Sequence, residues 1–175
     1  MPNARKMLSD WDAIYIQALV KAIETQSKST LAHWAVDYAE KVLLPIWKKF
    51  DPEDIRPEAA LNSARRWLSG QIKLPEAKVQ ILLCHAAARE AQTNPAAQAA
   101  ARAIGQCAST IHSARHGIGL PLYGALAVAY DVLGTNVSWA ELEACAADEC
   151  ARMLDALRAV SVENETNPAK IDWKC

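Results

Sequence analysis

No segment of this 175-residue chain alternates apolar and polar residues over the length of a strand, so nothing in it asks for a β-sheet. Charge of one sign is also missing. Nineteen basic side chains against twenty acidic ones leave a net charge of -1, too little to draw the chain to nucleic acid or to an anionic membrane. The longest apolar run, residues 120–133, is shorter than a bilayer span and is interrupted by Pro121 and Gly124, so no membrane segment is expected. The opening MPNARKMLSD has two basic residues but neither an apolar stretch behind them nor a small-residue cleavage site, which reads as a cytoplasmic protein without a signal peptide. The five cysteines, Cys84, Cys107, Cys145, Cys150 and Cys175, are odd in number and include no CxxC, so free thiols are expected in place of a disulfide framework or a zinc ribbon.

What is present is helical periodicity. Trp11, Ile14, Tyr15, Ala18, Leu19, Ala22 and Ile23 fall on one face of a first helix, with Ser9 placed to cap it. A second helix begins after Ser29 and Thr30 and runs through Trp34 to Trp47, bent near Pro45. A third stops at Gly70, a fourth opens at Pro75, and a fifth starts at Asn94 and Pro95 and continues to Gly117 or Gly119. The sixth, residues 120–133, is apolar all round and should be central, and the seventh starts at Ser138 with Glu141 completing a capping box. The expected fold is all-α, one compact bundle of about seven helices built from antiparallel hairpins. It covers residues 1–162, with an aperiodic C-terminal tail at 163–175. The fourth and fifth helices are so rich in alanine that they should pack inside, against the sixth.

Few residues suggest chemistry. His112 and His116 stand four apart and would share a face of the fifth helix, with His85 on its neighbour; three imidazoles so placed can bind zinc. The segment HSARH has Ser113 where a metalloprotease helix needs glutamate, so the HExxH reading fails. The simpler account is that the three are buried histidines hydrogen-bonded to backbone, to Arg89 or Tyr123, or to one another through water. Arg89, four residues after His85, could receive an anionic group, or could pair with Asp37 or Glu40 of the second helix. Asp148 and Glu149 fall on a face expected to be solvated. No phosphate loop, nucleophilic dyad or di-iron motif is found, so no catalytic residue and no cofactor are assigned.

HWAVDYAEKVLLPIW from His33, DIRPEAALNSARRWLSGQI from Asp54, LCHAAARE from Leu83 and AARAIGQCASTIHSARHGIGLPLYGALA from Ala100 together resemble the immunity-protein-five-like family of bacterial polymorphic toxin systems. The resemblance covers roughly residues 30 to 130. It implies an all-α fold and a binding activity, neutralisation of a cognate protein toxin. The family's recurrent polar positions would be Trp34, Asp37, Arg56, Arg65, Trp67, His85, Arg89, His112 and His116. A net charge of -1 offers little of the acidic steering used against basic nucleases, so the toxin need not be a nuclease. Two other readings stand beside this one. The first is a metal-binding or small-molecule-binding helical protein, with or without enzymatic activity, using His85, His112 and His116. The second is an interaction scaffold or homodimer.

Overall fold

Side-chain caps open three helices of this protein and glycines close two. In the computed structural model, which describes residues 4–174, α1 spans Ile14–Ile23, α2 Lys28–Tyr38, α3 Leu44–Phe50, α4 Arg56–Leu68, α5 Leu74–Glu90, α6 Pro95–Ser109, α7 Leu126–Leu133 and α8 Trp139–Val160. There is no strand among the described residues, and the fold is all-α as expected. Asn94 Oδ1 accepts the Ala97 N–H at 3.0 Å and Ser138 Oγ the Glu141 N–H at 3.2 Å, both as anticipated. Gly70, at φ +75°, closes α4 while the Gln71 N–H reaches back to the Arg66 carbonyl.

Three boundaries differ from the sequence reading. The first helix starts at Ile14, so Ser9 does not cap it; Trp11 precedes it and meets Trp173 with ring centroids 5.5 Å apart. Ser27, not Ser29 or Thr30, caps α2, because its hydroxyl accepts the Thr30 N–H at 3.2 Å. The third difference bears on function: α6 ends at Ser109, well short of Gly117. The Ser109 hydroxyl donates to the Gly105 carbonyl at 2.8 Å and the Thr110 hydroxyl to the Cys107 carbonyl at 2.5 Å. The backbone tightens at the same place, the Thr110 N–H turning to the Cys107 carbonyl at 3.2 Å and the His112 and Ser113 N–H groups both to the Ser109 carbonyl at 3.2 Å, and the chain leaves the axis. It resumes as a 3₁₀ turn, Ala114–Ile118.

Two wide π turns interrupt the helices, Ala39–Leu43 just before Pro45 and Leu120–Ala125, which carries Pro121 in its first turn where no N–H is required; Pro45 explains the first of them. Proline offers no N–H to the carbonyl four residues back, and a wider turn absorbs the loss without breaking the rod. Thus α2 and α3 form one bent rod, and α7 continues the second π turn. The two wide turns meet at Gly124, where a Cβ would lie 3.1 Å from Leu43 Cδ1.

Helix α6 is the axis of the molecule. Its buried residues, among them Ala99, Ala100, Ala103, Ile104, Cys107 and Ala108, are mostly small, which lets α2, α3, α4, α5 and α7 approach it closely. Larger side chains such as Leu19, Ile23, Leu31, Leu43, Leu61 and Leu126 close the core around it, each contributing about 1.5–3 kcal/mol by burial. Helix α5 does not pack inside as expected. It lies outside, against α4 and α6, with Val79, Leu82 and Leu83 in solvent. The C-terminal segment returns to α1, where the Ala169 N–H donates to the Gln26 carbonyl at 2.8 Å and Trp173 Nε1 to Glu24 Oε1 at 2.7 Å. Cys84, Cys107, Cys145 and Cys150 are free; Cys175 lies outside the described residues. No helix of the described residues is long and apolar enough to cross a membrane.

Candidate functional site

The polar residues singled out by sequence fall into two groups. The first ties helices together. Trp34 of α2 is buried, and its Nε1–H donates to the Met153 carbonyl of α8 at 3.0 Å. Arg56, the first residue of α4, clasps Asp54 (Nη2 to Oδ2, 2.7 Å) and Glu90 at the end of α5 (Nη2 to Oε2, 2.6 Å). This guanidinium holds both carboxyls below their ordinary range, and they hold Arg56 in its charged form. Arg65, two and a half turns further along α4, bridges to Asp37 of α2 at 2.7 Å and to Glu40, in the π turn that continues α2, at 2.6 Å. The carboxylates expected to hold Arg89 are therefore held by Arg65, because α4 packs against α2 and α5 lies beyond it. Trp67 is half-buried and packs against the core.

The second group gathers where α5, α6 and the 3₁₀ turn meet. Since α6 stops at Ser109, His112 and His116 do not share a face of it; one lies in the turn and the other in the 3₁₀ segment. They still meet, with ring centroids 5.1 Å apart and edge to face. The fold-back is tight. A Cβ on Gly119 would stand 2.4 Å from Gln106 Cβ, so only glycine lets the chain pass this close to α6. That return sets His116 Nδ1 2.7 Å from Gln106 Oε1, so Nδ1 carries the proton of the neutral ring. His85 lies over Gly105, where a Cβ would be 2.5 Å from its Cε1. Neither Arg89 nor Tyr123 is the partner that His116 uses.

Burial pushes all three histidines below their ordinary range, His116 to about 4. Neighbouring charge adds to this: Arg89 acts on His85, Lys78 and Lys28 on His112, and His112, Arg115 and His85 on His116. Lys28 Nζ also donates to the His112 carbonyl at 3.2 Å. His112 Nδ1 is buried without a hydrogen-bond partner among the described residues. Among those residues no group of three or more His, Cys, Asp or Glu side chains is placed to hold a metal ion, so the geometry offers the zinc alternative no ligand set.

One polar cluster was not found from sequence. Glu149 of α8 was expected on a solvated face, yet only 3% of it is exposed. Tyr38 Oη donates to its Oε1 at 2.5 Å and Arg152 Nε to its Oε2 at 2.7 Å, which compensates the buried charge. The i, i+3 spacing of Glu149 and Arg152 was the one signal available. The three residues line a cleft of about 480 Å³ between α2 and α8, together with Trp34, Asp37 and Lys41.

Polar side chains thus tie α2 to α8, α4 to α5 and α4 to the α2 rod in an all-helical protein. The family model for Imm-5 like putative immunity proteins matches residues 21–156, and the chain belongs to that family. No curated protein and no solved structure matches it.

Proposed function

We propose that this protein acts in the cytoplasm and neutralises a cognate bacterial toxin by binding it directly. Membership of an immunity protein family is the observation that carries the reading. The architecture supports it. Arg56, Arg65, Trp34 and Glu149 spend their polar groups on joining helices, which leaves a stiff frame of the kind that binds without a large ordering cost.

The test is co-expression. Each toxin domain encoded beside this gene is induced in a sensitive host with and without the protein, and the purified pair is measured for binding. Rescue of growth together with a stoichiometric complex is the expected result. Growth arrest by every such domain despite soluble, folded protein would sink the reading.

A further inference from the structure

Helix α5 carries apolar residues on two faces. One packs inside through Ala77, Ile81, Cys84 and Ala88. The other presents Val79, Leu82 and Leu83, 55%, 66% and 42% exposed, with Ala86 completing the i, i+3, i+4, i+7 pattern. No other helix among the described residues exposes three large aliphatic side chains. Contiguous apolar surface of this kind, rimmed by polar groups, is characteristic of a site that a partner covers.

The two edges of this stripe differ in charge. On the edge toward α4, Glu90 is clasped by Arg56, and Glu76 accepts the Lys73 N–H at 2.9 Å at the start of the helix. Those carboxylates are engaged. On the edge toward the 3₁₀ turn stand Lys78, His85 and Arg89, and beyond them Lys28, His112, Arg115 and His116. Lys78 and Arg89 make no ion pair among the described residues. Apart from the histidines themselves, every charge that bears on the three rings is positive. A chain with a net charge of -1 thus keeps a local positive field beside its largest exposed aliphatic stripe.

We infer that this face of α5, with the histidine turn beside it, is the surface that takes the toxin, and that it takes an acidic segment whose apolar side chains cover Val79, Leu82 and Leu83. This rests on the immunity reading above and adds the place and the chemistry of the contact. Carboxylates of the partner meet Lys78, Arg89 and Lys28, while its apolar residues remove the stripe from water.

The experiment uses the full chain and a toxin domain against which the wild type protects. Three variants are compared with it: Lys78→Glu with Arg89→Glu, Leu82→Glu, and the control Lys21→Glu with Lys170→Glu, which makes the same change of net charge on α1 and the C-terminal segment. Circular dichroism and thermal melting check folding, and the Lys78/Arg89 pair decides should Leu82→Glu misfold. The α5 variants are expected to weaken binding roughly a hundredfold, mainly through slower association for the charge pair, while the control stays within about threefold. Added salt should weaken the wild-type complex more than the charge-reversed one. Protection by the wild type together with unchanged binding by the α5 variants overturns this inference and leaves the immunity reading standing. A wild type that protects against no toxin domain overturns both. A wild-type homodimer in light scattering that Leu82→Glu splits assigns the face to a second copy, and also overturns it.

Discussion

On α4, Arg56 and Arg65 each hold two carboxylates, whereas on the adjacent α5 neither Lys78 nor Arg89 holds one among the described residues. The same kind of charge is put to two uses a helix apart. Arg56 joins the start of α4 to the end of α5, and Arg65 joins α4 to α2, so both serve the fold. The α5 cations stand beside exposed Leu82 and Leu83, on the face that we assign to a partner. The difference separates positions whose loss should cost stability from positions whose loss should cost binding. A substitution that moves the wrong quantity breaks the comparison.

The largest effect belongs to the interior. Trp34→Ala removes a side chain only 2% exposed together with its hydrogen bond to the Met153 carbonyl, which keeps its helical partner, so a loss of about 3–5 kcal/mol, mostly from lost packing, is expected in urea unfolding. Trp34→Phe should recover most of it. If Trp34→Ala instead left stability unchanged and abolished toxin binding, Trp34 would belong with the binding face and the division would fail.

The paired arginines sharpen the comparison at intermediate scale. Arg56→Ala releases Asp54, whose side chain is only 13% exposed, along with Glu90, and should cost about 1–2 kcal/mol. Arg65→Ala breaks bridges to Asp37 and Glu40 that are 58% and 47% exposed, where solvent screening limits the loss to less than about 1 kcal/mol. Denaturant midpoints for the two variants should therefore separate, Arg56→Ala lower. Equal midpoints would mean that burial of Asp54 does not strengthen its contact.

Much of this frame is legible in the sequence because it depends on local chemistry. Asn94, Ser138 and Gly70 act within a turn of themselves, and their roles follow from residue type and spacing. The end of α6 does not. Gly117 and Gly119 look like terminators, but the helix has already ended at Ser109, where the backbone tightens, and Gly119 is needed for its approach to Gln106. Glu149 was misplaced for a similar reason, since its burial depends on Tyr38, more than a hundred residues away in the chain. Resemblance to the family identified candidate residues without their partners. Which arginine takes Asp37, and which is left over, is decided by the order in which α2, α4 and α5 pack, and no single helix encodes that order.

The histidine turn provides the smallest expected effect, through pH. His116 is neutral in the folded protein, donates from Nδ1 to Gln106, and sits among His112, Arg115 and His85, with its pKa pushed down to about 4. An unfolded chain takes up that proton near the ordinary histidine value of about 6.5. Between these values the unfolded state binds more protons, so the stability present above about pH 6.5 is lost progressively as the pH falls toward 4, and for this group it levels off below that. His85 and His112 are shifted the same way and act in the same direction. Asp54 and Glu90 are held below their ordinary range, so their contribution is full through most of this window, begins to fade only near its acid end as the unfolded carboxyls protonate, and is lost mainly at lower pH. Unfolding midpoints measured from pH 7.5 down to 4.5 should therefore fall for the wild type. His116→Gln, which cannot take up the proton, should flatten that slope by about 1 kcal/mol once partial solvent screening is allowed for. An equally steep slope in His116→Gln would assign the pH dependence to His85 and His112. A wild-type slope of zero would mean that the turn opens in solution and leaves all three rings at their ordinary values.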